Sequence, residues 1–250
     1  MDFSALVANN FANWCKDQKF AAVTKESRGF VNNTIDGIWG LGYPKNSVIG
    51  SENLVQKAFK QKSIPSPEFS FRLSETGSEL CLGGTNPDKY QGGFACAGVT
   101  EQIYWRINGT LARGPQQALS HNYTGSMIID SGTTLMLGPP ADVKSFYTGI
   151  DGAEPCSVSL CGSEDPTYWL MPCDKFPSIF FVLAKQFFQI SPNDFNLGQV
   201  NATSTQCVGA LVGFNATLAV KGFVMGDTLM KNTYTNFNMA SNEVCFAHPK

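Results

Sequence analysis

The chain has 250 residues, 43% of them hydrophobic and 15% charged, with a net charge of −2. This suits a folded, loop-rich protein of one large domain or two small ones, and excludes a disordered chain. No run of Lys or Arg marks a surface for nucleic acid or anionic membrane, and the longest apolar run, about six residues from Ile179 to Ala184, falls far short of the ~20 that a membrane helix needs.

The N-terminal stretch MDFSALVANNFANWCKDQKF lacks the basic start and apolar core of a signal peptide. DGIWGLGYP (36–44) is glycine-rich, but its order is G-x-x-G-x-G and no βαβ pattern surrounds it, so a tight strand–turn set is expected rather than a nucleotide loop. A helix is expected over Glu52 to Lys62 behind Ser51 as N-cap, with Leu54, Val55, Ala58 and Phe59 on one face. Strands follow in EFSFRLS (68–74), ELCLGG (79–84), YWRINGTLA (104–112) and SMIID (126–130). In the first, Phe69, Phe71 and Leu73 alternate with polar residues, as in a half-buried strand. Pro139-Pro140 opens a second helix, with Val143, Phe146, Tyr147 and Ile150 at helical spacing. SIFFVLA (178–184) and NEVCFAH (242–248) complete a mostly β reading.

The eight cysteines are Cys15, Cys81, Cys96, Cys156, Cys161, Cys173, Cys207 and Cys245. An even count fits a disulfide framework, but sequence by itself fixes no pairing. With two histidines, His121 and His248, and no C-x-x-C, no metal site is expected. Asn-x-Thr sequons stand at Asn32, Asn108, Asn122, Asn201 and Asn215 and are glycosylation candidates. Cysteines and sequons point to an oxidising, secretory compartment, which conflicts with the missing signal peptide.

The informative stretch is MIIDSGTTLMLGPP (127–140). A charged Asp at the end of an apolar strand costs several kcal/mol unless it is hydrogen-bonded or paired. Asp-Ser-Gly alone is a common turn. Its flanks add more: Met127, Ile128 and Ile129 place Asp130 at a strand end, Gly132 permits a sharp turn with N–H groups facing the carboxylate, and Thr133 and Thr134 offer hydroxyl donors. Such a device holds an ionisable group in a fixed, partly dry place, where function occurs.

These motifs resemble the pepsin-like aspartic peptidases, whose lobes each present a D-[ST]-G loop backed by an apolar-apolar-Gly segment. Asp130-Ser131-Gly132-Thr133-Thr134 is similar to the second-lobe loop, Val224-Met225-Gly226-Asp227 to the segment behind it, and Ile38-Trp39-Gly40 to the first-lobe counterpart. The resemblance runs from about Phe20 to Ala247 and implies a mostly β, bilobal fold: an incomplete first lobe over residues 1–97 and a complete second lobe over 98–250. It implies that Asp130 is catalytic, that Gly132 and Thr133 support it, and that Thr134, Tyr104 and Val224 contact substrate. Asp227 is read as structural and Trp39 as core. Cys173 and Cys207 match a disulfide usual in that lobe, worth about 4 kcal/mol by loop entropy. Cys156 and Cys161 are close enough for a small second loop, and the other four cysteines stay unassigned.

The family's chemistry needs two carboxylates that share one proton. Yet no D-[ST]-G occurs between Met1 and Ile35, nor does the flap, and FAAVTKESRGF (20–30) resembles the strand just after the flap. The chain is therefore expected to begin inside the first lobe of a secreted or vacuolar/lysosomal endopeptidase, a monomer when full length, with a polypeptide substrate and no cofactor. An inactive binding or decoy protein is the alternative. Two copies each donating Asp130 form a third reading. A serine hydrolase fits poorly, because Ser131 lacks a G-x-S-x-G setting and nothing ties His121 to it. Without the front of its first lobe, the chain should leave Phe30, Ile38, Trp39 and Leu41 exposed, and its first half should fold less well than the part from about Gly98 to Lys250.

Overall fold

The computed structural model describes residues 15–25 and 36–250. The expected strand at SMIID lies at the end of a longer strand, His121–Ile129, which pairs in antiparallel register with Trp105–Arg113. These two strands form the centre of the largest sheet. Its order is Gln186–Ile190, Ile179–Leu183, Trp105–Arg113, His121–Ile129, Phe223–Met225, Met136–Gly138, Leu211–Gly213, with Glu101–Gln102 paired onto Trp105–Arg113. A second sheet runs Glu79–Leu82, Glu68–Arg72, Tyr234–Asn238, Glu243–Pro249, Tyr90–Gly98, all antiparallel. It joins strands from near residue 70 to strands from the C-terminus. A third, smaller sheet holds Asn196–Gln199, Gln206–Gly209, Trp169–Pro172 and Glu154–Pro155.

Aromatic packing locks the first two sheets together. Phe69 and Phe237 are register partners whose rings stack at 4.9 Å, and Trp105 of the large sheet lies 5.7 Å and 5.1 Å from them. Phe246 meets Phe181 at 4.9 Å on the same interface. Each such ring, fully buried, contributes about 1.5–3 kcal/mol.

Some expectations need correction. Glu68–Arg72 is covered on both faces, because Ser70 is buried as fully as its aromatic neighbours. Its hydroxyl is satisfied by Gly84 O at 2.9 Å and the Tyr234 hydroxyl at 2.6 Å, so burial costs little. The first helix is shorter, Leu54–Lys60, and its N-cap is Asn53, not Ser51. Asn53 Oδ1 accepts from Gln56 N at 3.0 Å, Gln56 Oε1 accepts from Asn53 N at 3.4 Å, and Asn53 Nδ2 donates to Gly42 O at 2.8 Å. That reciprocal capping satisfies orphan N–H groups that a serine two residues earlier could not reach. Phe59 is 41% exposed and does not join Leu54, Val55 and Ala58 in the core. The second helix, Pro140–Tyr147, buries Val143, Phe146 and Tyr147 as its spacing requires, and Ile150 is buried just beyond it.

DGIWGLGYP forms no strand. Ile38 is 83% exposed and Trp39 41% exposed, so Trp39 is not a core residue; Leu41 is half-buried. Phe30 lies outside the described residues. Phe20, Val23 and Ile49 are exposed as well and, with Ile38 and Trp39, line a cleft of about 1160 Å³; Val48 is exposed outside it.

Cys173 and Cys207 form a disulfide across the third sheet, and Cys156 and Cys161 close the small loop. A further bridge links Cys96 and Cys245, which are register partners on Tyr90–Gly98 and Glu243–Pro249. Cys15 and Cys81 are not disulfide-bonded.

Candidate active site

Met127, Ile128 and Ile129 are buried, and the strand delivers Asp130 to the surface of the sheet, half-buried. The strand Phe223–Met225 runs parallel beside it, with Val224 opposite Ile128 and Met225 opposite Ile129. Asp130 N donates to Met225 O at 3.1 Å, so the pairing continues into the aspartate itself.

The chain then turns. Gly132 N donates to Asp130 Oδ1 at 2.9 Å, and Thr133 Oγ1 donates to Asp130 Oδ2 at 2.6 Å. Thr133 N closes the turn on Asp130 O at 3.2 Å. Both carboxylate oxygens are thus held from the loop side. After the turn the chain returns as Met136–Gly138, antiparallel to Phe223–Met225 on its other edge. The Val224 strand therefore lies between the two arms of the Asp130 loop.

The next residues clamp the loop. Gly226 N donates to Leu135 O at 3.2 Å, Asp227 N to Thr133 O at 2.8 Å, and Thr228 N to Thr134 O at 3.1 Å. Thr228 Oγ1 adds a bond to Thr134 O at 3.2 Å. This approach requires glycine at 226: a Cβ there would stand 1.9 Å from Thr133 O and 2.5 Å from Leu135 O.

Asp227 is half-buried, and its Oδ1 has no hydrogen-bond partner among the described residues. Burial pushes its carboxyl up to about 6; the Asp130 charge adds to this and Lys231 opposes it. The sequence marked Asp227 only by its place after the apolar-apolar-Gly segment. The role of its backbone, and of Thr228, in holding the loop carried no signal in the sequence, because the contact joins residues about ninety positions apart.

Thr134 is exposed, and it is its backbone carbonyl that is held. Val224 is half-buried between Ile128 and Leu137. Tyr104 is half-buried just before Trp105–Arg113 and makes no hydrogen bond to the Asp130 loop among the described residues. Ser131 is exposed, and its hydroxyl has no partner among the described residues, so nothing there activates it as a nucleophile. Cys207 lies in a strand of the third sheet and Cys173 directly follows its strand Trp169–Pro172. Among the described residues, no group of His, Cys, Asp and Glu side chains is placed to hold a metal ion, and no helix is long and apolar enough to cross a membrane.

The sequence profile described as eukaryotic aspartyl protease matches residues 13–249 of the chain. The chain belongs to that family. It is 35% identical over 232 residues to an aspartic protease of Phaffia rhodozyma, which covers 92% of this chain and 55% of the relative. It is 34% identical over 241 residues to a cathepsin D of Chionodraco hamatus (92% and 58%), and 30% identical over 240 residues to human cathepsin D (92% and 56%). The chain thus spans a little over half the length of these curated relatives. Its curled, mostly β sheets agree with a pepsin-like lobe.

Proposed function

We propose that this chain supplies Asp130 as one of the two carboxylates of an aspartic endopeptidase, and that the second carboxylate comes from polypeptide outside these 250 residues. The observation that carries the reading is the setting of Asp130. An ionised carboxylate has about four acceptor sites. Gly132 and Thr133 occupy one on each oxygen, while the half-buried side chain keeps room for further partners. A carboxylate held in this way can meet a water and a second carboxyl without changing rotamer.

Two aspartates in contact cannot both ionise, which is the known arrangement of aspartic proteases in general. The ionised member draws a proton from the bound water, and the protonated member donates to the scissile carbonyl as the water attacks. In this reading Gly132 and Thr133 hold the carboxylate, Thr134 contacts substrate backbone, and Tyr104 and Val224 line the cleft. The substrate is an extended polypeptide with apolar side chains beside the cleaved bond, and activity is highest at acidic pH. A monomeric enzyme in a secreted or vacuolar/lysosomal compartment fits the three disulfides. The exposure of Phe20, Val23, Ile38 and Val48 supports the need for further polypeptide, since such side chains pack against neighbouring strands when these are present.

The test is to co-fold this chain with the unmatched remainder of the Phaffia rhodozyma relative and assay cleavage of an unfolded protein across acidic to neutral pH. Cleavage is expected, with a loss of about 10²–10⁴-fold in Asp130→Asn. A folded complex that does not cleave, or full activity in Asp130→Asn, overturns the reading.

A further inference from the structure

The sequons differ in what the fold does with them. Asn32 lies outside the described residues. Asn108 stands in the middle of Trp105–Arg113 with its side chain exposed. The opposite face of that strand is core: Ile107 and Leu111 are buried, and a Cβ on Gly109 would strike the Phe181 ring at 2.8 Å. Strand alternation therefore turns Asn108 and its sequon threonine, Thr110, away from the core together. Across the ladder, Asn108 faces Ser126 and Thr110 faces Thr124, with the two threonine hydroxyls 2.8 Å apart. Asn108 itself is exposed and Thr110 half-buried, whereas the Ser126 hydroxyl opposite Asn108 is buried without a partner among the described residues.

Asn201 occupies the exposed turn between Asn196–Gln199 and Gln206–Gly209. Its Oδ1 accepts from Thr203 N at 3.1 Å and Thr203 Oγ1 at 3.2 Å. The amide oxygen is engaged by the sequon threonine, and Nδ2 points away without a partner among the described residues. Asn215 contrasts with these: its sequon threonine, Thr217, is buried and donates to Phe214 O at 2.5 Å.

We infer that Asn108 and Asn201 are attachment sites for N-linked oligosaccharide. A glycan is bulky and hydrophilic, so the folded protein tolerates it only where the amide nitrogen is exposed and makes no bond the fold needs. Both sites meet that condition, and the disulfides place the chain in the kind of compartment where the modification occurs. In the transfer, the amide nitrogen bonds to the anomeric carbon of a lipid-diphosphate-linked oligosaccharide. The diphosphate leaves with the bonding electrons and the nitrogen gives up one proton. The inference stands independently of the role of Asp130.

The experiment uses the full chain, directed into the secretory pathway of a eukaryotic host and recovered from cells and medium. Peptide N-glycosidase treatment in ¹⁸O water converts each glycosylated Asn to labelled Asp, which peptide mass spectrometry locates. Label at 108 and at 201 is expected, and Asn108→Gln and Asn201→Gln should each remove one glycan from the intact mass. Unlabelled Asn at either position in chains whose Cys173–Cys207 bridge has formed overturns the assignment at that position. Chains recovered with that bridge reduced overturn the compartment on which both assignments depend.

Discussion

Val224-Met225-Gly226 and Ile38-Trp39-Gly40 share one pattern and sit in opposite environments. Met225 is fully buried where Trp39 is 41% exposed, Val224 is half-buried where Ile38 is 83% exposed, and Gly226 is pressed against the carbonyls of Thr133 and Leu135 where a Cβ on Gly40 would meet nothing within 4 Å. The difference lies in what stands opposite. The 224–226 segment threads between the arms of its own Asp-Ser-Gly loop, and each backbone group finds a partner there. The 38–40 segment has no such loop among the described residues. An apolar-apolar-Gly motif is therefore half of a device, and its glycine is required only when the other half is in place.

The sharpest way to break this comparison is Gly226→Ala. The added methyl has no space at 1.9 Å from a backbone oxygen, and the loop cannot retreat without losing its clamp. A loss of about 4 kcal/mol or more is expected, read as a fall in the urea midpoint or as failure to fold. A variant as stable as the parent would show that the Asp130 loop is not held as described.

Replacing Cys173 and Cys207 by serine should cost about 3–4 kcal/mol, since the bridge closes a loop over a sequence separation of 34. The loss should appear in the unfolding of the Asp130 region and leave the protease susceptibility of residues 15–50 unchanged. Equal loss of protection in both regions would mean that they unfold as one unit.

Asp227 adds a pH signature. In the native state it keeps its proton up to about pH 6, whereas in the unfolded chain it ionises near the ordinary 3.8. Between those values the native state binds more protons, so its stability falls as pH rises through the window and stays lower above it. Asp227→Asn removes this titration and should stabilise the chain above about pH 6 while matching the parent below about pH 4. Partial solvation of the carboxyl keeps the expected gain near 1 kcal/mol. Chemical denaturation at the two pH limits checks it, and a gain that is the same at both limits would exclude the titration of Asp227 as its source.

The smallest effects belong to the other segment. Gly40→Ala and Ile38→Ser should each change stability by less than about 0.5 kcal/mol, because neither position is packed. Ile38→Ser should also raise the concentration at which the chain aggregates, measured by light scattering. A large destabilisation in either variant would mean that 36–43 is already packed in solution.

The sequence by itself determined the local elements and the family. Short apolar stretches between Gly, Pro, Asn and Ser marked the strands around Phe69, Ile107 and Ile129, and helical spacing marked the helix after Pro139, because such patterns follow from local backbone geometry. Asp130-Ser131-Gly132-Thr133 was legible as a turn that holds a carboxylate, since both bonds to the carboxylate oxygens span three residues or fewer. Only the tertiary structure decided what depends on distant partners. Ser70 is buried because Tyr234 and Gly84 satisfy its hydroxyl, Asn53 caps because Gly42 also takes its amide, and Cys96 meets Cys245 because their strands are neighbours in register. Trp39 and Met225 hold the same place in the two motifs, but burial belongs to the surroundings rather than to the side chain, and only Met225 has surroundings that close over it.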